Sequence, residues 1–410
     1  MKTGTTYLQG KAYANAEALL DGGVELAGDG WGEQVWAVQE LLGMGAHDRF
    51  VRARNKGAWA RVSEGMRTSD QPVSLLSMEF LAFADARQAQ RVVDSLAGCE
   101  VRVVITVRDT ASVVPALWQT TVTSGGTTTW PRFRQMVRLS AAAGGRGGRL
   151  LSRLGARTAT RFAEAVDIPR MLAVWTSVLP PEQVHVVVVP RPGAPKDLLW
   201  RRFCEVLGVD GGDYATEPQQ ANESLGYPSA EVVRRVNAAI ELEQVRDQTV
   251  VKNDLGLTTL GERRSQERRA LLDRATLAAA LGWNRTVRDA VRRHGVVVHG
   301  DLADLPVPGD GAEHAVEDAH VPPSEEELLA AARHGARGMR RLVRRRSERL
   351  LPPKRRKRMA RRLRREVAGP RAWSAAEDPV DAAVTDLVAY AHALVRLRRR
   401  REELRRRRRS

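Results

Sequence analysis

Three short stretches of the chain carry residue types that could do chemistry. The chain opens MKTGTTYLQG, a Lys-Thr-Gly-Thr-Thr run that leads into the apolar residues Tyr7 and Leu8. Gly4 can take the positive φ or close approach that a tight loop requires. A helix starting after it would present unpaired N–H groups and a positive dipole end, with Lys2 as a point charge, which is an anion-binding arrangement. The same run also suits a Thr-capped helix beside an exposed lysine, and the stretch alone leaves both readings open. Ser77, Met78 and Glu79 leave the apolar run VSLLS. Glu79 there could take a proton from a hydroxyl, or could cap a following helix. Arg108 and Asp109 leave the run VRVVITV. The planar, permanently charged guanidinium of Arg108 suits a phosphate, and an Arg-Asp neighbour equally suits a structural salt bridge.

The elements that must position these residues are legible in outline. VSLLS (Val73–Ser77), VRVVITV (Val101–Val107) and VHVVVV (Val184–Val189) are short apolar runs, the last two β-branched and nearly continuous. Such runs read as strands buried on both faces of a parallel sheet. Helical patterns lie between them at Asp85–Ala97, Ala111–Val122, Arg149–Val166 and Pro195–Leu207, with GGRGGR (Gly144–Arg149) as a flexible break. Alternating strands and helices predict an α/β sheet. Ligands in such sheets gather outside the carboxyl ends of the strands. That rule puts the Lys2–Thr6 loop, Glu79 and Arg108 on one rim. Beyond Gly208 the spacing predicts helices at Ser229–Val245, capped by Ser229, at Arg263–Leu281 and at Arg285–His294, followed by a short VVVHGDL.

Composition narrows the setting. The chain has 410 residues, 43% of them hydrophobic, and only two cysteines, Cys99 and Cys204. Two cysteines suit a reducing compartment, and the eight histidines pair with no cysteine at ligand spacing, so no metal site is expected. No signal-peptide pattern is present and no apolar run reaches the ~18 residues of a membrane span. The expected location is the cytoplasm. Residues 331–410 hold 28 Lys+Arg against 8 Asp+Glu, a net of +20, while residues 1–330 hold 38 against 41. The charge excess therefore speaks about the C-terminal segment and not about the chemistry of the body.

KTGTTYLQ resembles the 5′-phosphosulfate loop of sulfotransferases that use 3′-phosphoadenosine 5′-phosphosulfate (PAPS). VVITVRDTASVVPALWQ (Val103–Gln119) resembles that family's strand ending in a 3′-phosphate-binding arginine. VHVVVVPRPGAPKDLLWRRFCEVLGV is similar to its late strand and helix, and NESLGYPSAEVVRRVN and VVVHGDLADL to segments of bacterial, actinomycete-type members. The likeness is close over residues 1–225 and loose over 226–305. It implies a P-loop-type parallel sheet flanked by helices; the tail lies outside the likeness and reads from its own sequence as a mostly helical basic C-terminal extension. It implies PAPS as cofactor and sulfuryl transfer to a hydroxyl or amine of a small-molecule or carbohydrate acceptor. Lys2, Thr3, Gly4, Thr5 and Thr6 would bind the 5′-phosphosulfate, with Lys2 also serving the reacting oxygen. Arg108 would hold the 3′-phosphate. Glu79 would be the general base, in competition with His47.

Two departures accompany the likeness. The serine that the family carries eight residues after its arginine is Ala116 here, with Ser112 as a substitute one helical turn from Arg108. The family also places a central strand before its loop, and none precedes Lys2. Two neighbouring strands would then carry unpaired buried N–H and C=O groups at ~1–3 kcal/mol each. The expectation is a start upstream of Met1, or else a degenerate copy. With the Pro-, Gly- and acid-rich segment 305–324 read from composition as a linker, the expected organisation is a sulfotransferase-like domain over 1–304, that linker, and an Arg-rich helical tail over 325–410. A phosphotransferase is disfavoured because no apolar strand ends in a Mg²⁺-holding Asp. The alternative function is a catalytically impaired, N-terminally truncated protein whose tail binds anionic partners, nucleic acid or a membrane surface. No specific nucleic acid is expected, and a merely solvated helical extension also fits the tail.

Overall fold

The computed structural model describes residues 2–45, 48–142, 166–218, 225–242, 247–311 and 314–407. The fold is α/β, with small parallel sheets among many helices. The chain divides into two units that are discontinuous in sequence. One comprises Met1–Val114, Gln135–Asn222 and Arg274–His314, the other Pro115–Arg134, Glu223–Asp273 and Ala315–Ser410. Composition puts linear boundaries at 304 and 324, whereas the division interleaves segments and passes within 305–324 at His314.

In the first unit, β1 (Val24–Leu26) pairs in parallel with β2 (Val73–Leu75). A separate triplet runs β3 (Val103–Val107), β4 (Val184–Val188), then β6 (Val297–His299), all parallel. Between them in sequence order, β5 (Leu272–Asp273) belongs to the second unit. Strand β4 is buried at every position, as a continuous β-branched run in a central strand should be. Its valines 184, 186 and 188 enter one apolar cluster with Met171, Leu172 and Trp175 of an Ile168–Trp175 helix. Val187 enters another on the opposite face. Among the described residues, β2 and β3 share no ladder. The pair β1–β2 and the triplet β3–β4–β6 are thus separate parallel sheets.

The helices used below are α1 (Thr5–Ala14), α2 (Ala86–Ser95), α3 (Thr110–Thr123), α4 (Leu198–Leu207), α5 (Tyr227–Ala239) and α6 (Arg274–His294). α2 has a complete capping box between Asp85 and Gln88, which fixes its start one residue inside the expected pattern. α5 starts at Tyr227 after Gly226, and Ser229 is its third residue, not its cap. The Ser229 hydroxyl instead donates to Glu267 Oε1 at 2.9 Å. The break expected after Leu281 is absent, because α6 runs unbroken through Gly282 to His294. GGRGGR and residues 149–165 of the helix expected at Arg149–Val166 lie outside the described residues.

The second unit contains α5 and three long C-terminal helices, α7 (Glu325–Leu350), α8 (Pro353–Glu366) and α9 (Pro379–Arg407). Strands β5 and β7 (Val316–Glu317) form a two-residue parallel pair. Arg134, almost fully buried, makes an ion pair with Glu317 and lies 3.5 Å from Asp273. Helix α7 opens with a capping box at Ser324 and Glu327 and three acidic residues facing its own dipole. Its Arg346 forms two hydrogen bonds of 2.7 and 2.6 Å to the buried Asp254. Arg399 of α9 pairs with the buried Asp247. Two C-terminal arginines are thus bolts within a packed unit, so the segment is not wholly a solvated tail. Among the described residues no helix is long and apolar enough to cross a membrane.

Candidate functional site

The opening loop is held by two contacts at the carboxyl end of the sheet. Thr3, only 7% exposed, brings Oγ1 to 2.6 Å from Thr106 Oγ1 of β3. Gly4 then turns with φ 85° and stands as the N-cap of α1. A side chain at Gly4 would place Cβ 2.6 Å from Leu199 Cδ2, so the left-handed backbone favours glycine and any larger residue would displace that methyl of α4. Lys2 is also left-handed, with φ 65°. No side chain caps α1, which excludes a Thr-capped start. The carbonyl of Gly4 accepts from the Tyr7 and Leu8 N–H groups. Thr5 is half-buried and Thr6 exposed. One turn on, Gln9 Nε2 donates to the Ser77 carbonyl at 3.0 Å. Helix α1 therefore abuts the exit of β2, two residues before Glu79.

Glu79 opens a short 3-10 turn, Glu79–Phe83, and is half-buried. Arg108 leaves β3 half-buried and shares a small enclosed space with Thr3 and Asn284. It also lines a cavity of about 120 Å³ with Asp109, Ser112, Arg191, Asp304 and His314. The structure thus brings Thr3 and Arg108 together, while Glu79 lines neither space. His47 lies outside the described residues.

Asp109 is not the salt-bridge partner of Arg108. Its Oδ1 accepts from the Ala111 N–H at 3.1 Å and from Asn284 Nδ2 at 2.8 Å. Its Oδ2 accepts from Ser112 Oγ at 3.2 Å and faces His314 Nε2 at 2.9 Å. The carboxylate therefore caps α3 and is saturated. Ser112, the expected substitute for the missing serine, shares the Arg108 cavity but commits its one proton to Asp109. An oxyanion there would have to take its hydrogen bonds elsewhere. Asn284, 1% exposed, completes the corner. It accepts from the Thr110 N–H at 2.9 Å and donates to the Pro306 carbonyl at 2.8 Å.

Arg191 and His314 are residues that the sequence reading does not single out. Arg191 follows β4 in PRP and donates to the Ala303 carbonyl, with Asp304 at 3.9 Å. His314 Nδ1 is buried and has no hydrogen-bond partner among the described residues. A basic residue just past a strand's carboxyl end was the one available signal, and it applies to Arg191 as it does to Arg108. Arg108, Arg191 and His314 line one cavity together with the carboxylates of Asp109 and Asp304, and its volume is well below the ~300 Å³ of an ordinary small-molecule pocket.

Comparison with known protein families, curated proteins and solved structures finds no match to this chain.

Proposed function

We propose that the first unit is a PAPS-dependent sulfotransferase acting on a hydroxyl or amine acceptor. The observation that carries this reading is the Thr3–Thr106 contact, which ties the Lys-Thr-Gly-Thr-Thr loop to the strand that delivers Arg108. The reading is supported by the donor set of Lys2, the N-terminal N–H groups of α1, and Arg108 at a cavity of about 120 Å³ whose wall also carries the carboxylates of Asp109 and Asp304. PAPS, when bound, supplies the sulfuryl group and an adenosine bisphosphate leaving group. Lys2 and the amides from Thr3 to Thr6 hold the 5′-phosphate and meet the charge that grows on the bridging oxygen. Arg108 holds the 3′-phosphate. Glu79 takes the acceptor proton, and Gln replaces it with a group that cannot.

The test is a melting assay with adenosine 3′,5′-bisphosphate against AMP, followed by a turnover assay. The bisphosphate should protect more than AMP, and Arg108→Ala should remove ~1.5–3 kcal/mol of binding. Glu79→Gln should keep binding and cut turnover ~10²–10⁴-fold. Equal protection by the two nucleotides would sink the 3′-phosphate assignment. The second reading, anion binding without turnover, is favoured by the split sheet and the small cavity. Bisphosphate protection with no sulfuryl transfer to any acceptor would select it.

A further inference from the structure

We propose that the outward face of α8 binds the phosphate backbone of a nucleic-acid duplex without reading its sequence. The helix is PKRRKRMARRLRRE, nine of its 14 residues basic. The structure sorts the C-terminal cations into two kinds. Arg346 and Arg399 are spent on buried aspartates. Lys354, Arg358, Arg361 and Arg365 are exposed and have no ion-pair partner among the described residues. Their spacing of four, three and four residues puts them in one row along α8, ~16 Å long at 1.5 Å per residue. Lys357 and Arg364 flank the row on one side and Arg355 on the other, all exposed. The two large apolar residues, Met359 and Leu363, are half-buried, and α8 packs on α9. Glu366, the helix's only acid, pairs with Arg362 and lies 3.9 Å from Arg396 of α9. The scaffold therefore holds about half the helix circumference as an uninterrupted cationic surface.

The choice of partner follows from what this surface lacks. A helix that lies in a membrane interface turns Trp, Phe or Leu outward into the acyl boundary. Among the described residues, the large exposed hydrophobics are Leu20, Trp31, Phe50, Leu139, Leu257 and Val321, none on α7, α8 or α9. Single-stranded nucleic acid is gripped by exposed aromatic platforms, but Trp373 and Tyr390 of this region are buried. A duplex offers one charge per ~1.7 Å of axis and asks only for cations. Seven of the nine basic residues are arginines, whose forks match phosphate oxygens.

The experiment is fluorescence anisotropy of the full chain with a labelled 20-bp DNA duplex, an RNA duplex, and vesicles containing phosphatidylserine, across salt concentrations. Wild type should bind both duplexes, with affinity falling steeply as salt rises. Substituting Lys354, Arg358, Arg361 and Arg365 together by alanine should flatten the salt slope by ~3–4, at about 0.9 for each phosphate no longer neutralised. The variant with lysine at 358, 361 and 365 keeps the charge and should keep the slope, which a structural role for these arginines would not. A wild-type slope in the alanine variant, a wild-type slope shallower than ~2, or tighter binding to vesicles than to duplex would each overturn the proposal.

Discussion

Thr3 Oγ1 and Thr106 Oγ1 lie 2.6 Å apart across 103 residues of sequence, a side-chain hydrogen bond between the opening loop and strand β3. Thr106→Val keeps the β-branched shape and removes the partner of a hydroxyl on a residue that is 7% exposed. The variant should lose ~1–3 kcal/mol of stability, the cost of an unsatisfied buried polar group. If the loop binds a phosphate, it should also bind adenosine 3′,5′-bisphosphate more weakly than wild type. Chemical denaturation and calorimetric titration of the two proteins test both effects, and an unchanged midpoint would show the contact to be idle.

The parts of the fold that were legible in sequence are those where one local signal dominates. β3 and β4 are written in continuous valine-rich runs, and the carboxyl end of β3 leads directly to Arg108 and Asp109, which line one cavity. β1 was illegible because Val-Glu-Leu is three residues long and carries a charge at its centre. α6 reads as two helices because Gly282 and Asn284 are poor helix formers, yet Asn284 sits inside, bonded to Thr110, Asp109 and Pro306, and packing overrides propensity. The two bolts Arg346–Asp254 and Arg399–Asp247 join residues 92 and 152 positions apart, so no window of sequence could separate them from the solvated arginines around them. The meeting of His314 with Asp109 spans 205 positions and was hidden for the same reason.

Asn284 donates to Asp109 Oδ1 at 2.8 Å in a buried corner, which makes its amide the target of a second test. Asn284→Asp changes almost no volume but sets a carboxylate against a carboxylate. Like charges that share a site raise the affinity for a proton. The folded variant should then bind a proton that its unfolded chain releases near the ordinary Asp value. Its stability deficit against wild type should be greatest at neutral pH and shrink as pH falls. Denaturation midpoints of both proteins at pH 5 and pH 8 check this, and a deficit independent of pH would contradict it.

His185 of β4 is 8% exposed, and its Nδ1 lies 3.1 Å from His299 Nε2. His299 in turn faces Glu205 of α4 at 3.0 Å. Burial holds the His185 pKa below its usual 6.5, with the neighbouring His299 and then Arg102 acting in the same direction and Glu100 against them. The unfolded chain therefore takes up a proton near pH 6.5 that the folded chain refuses. Stability from this group is complete above that value and is lost as pH falls below it toward the depressed folded value. His185→Gln should show a smaller loss of stability between pH 7.5 and 5.5 than wild type. Equal losses in the two proteins would assign the acid sensitivity to other groups.

The two cysteines give a chemical readout of the same region. Cys99 is exposed, whereas Cys204 is buried in the cluster that contains Leu8, Leu199 and Phe203. Burial pushes the Cys204 thiol up to about 12, with the charge of Asp210 adding to the effect and Lys11 opposing it. The thiolate is the reactive species, so native protein should consume one equivalent of a disulfide reagent quickly and the second only after opening or denaturation. In Cys99→Ser the slow phase alone should remain. Cys204 sits on α4, whose Leu199 packs against Gly4 of the opening loop. Opening of that packing exposes the thiol, and a ligand that binds only the closed loop reduces the open population by mass action. Saturating adenosine 3′,5′-bisphosphate should therefore slow labelling of Cys204 several-fold in the Cys99→Ser protein. Labelling at an unchanged rate, with the nucleotide demonstrably bound, would place its site away from the Lys2–Thr6 loop.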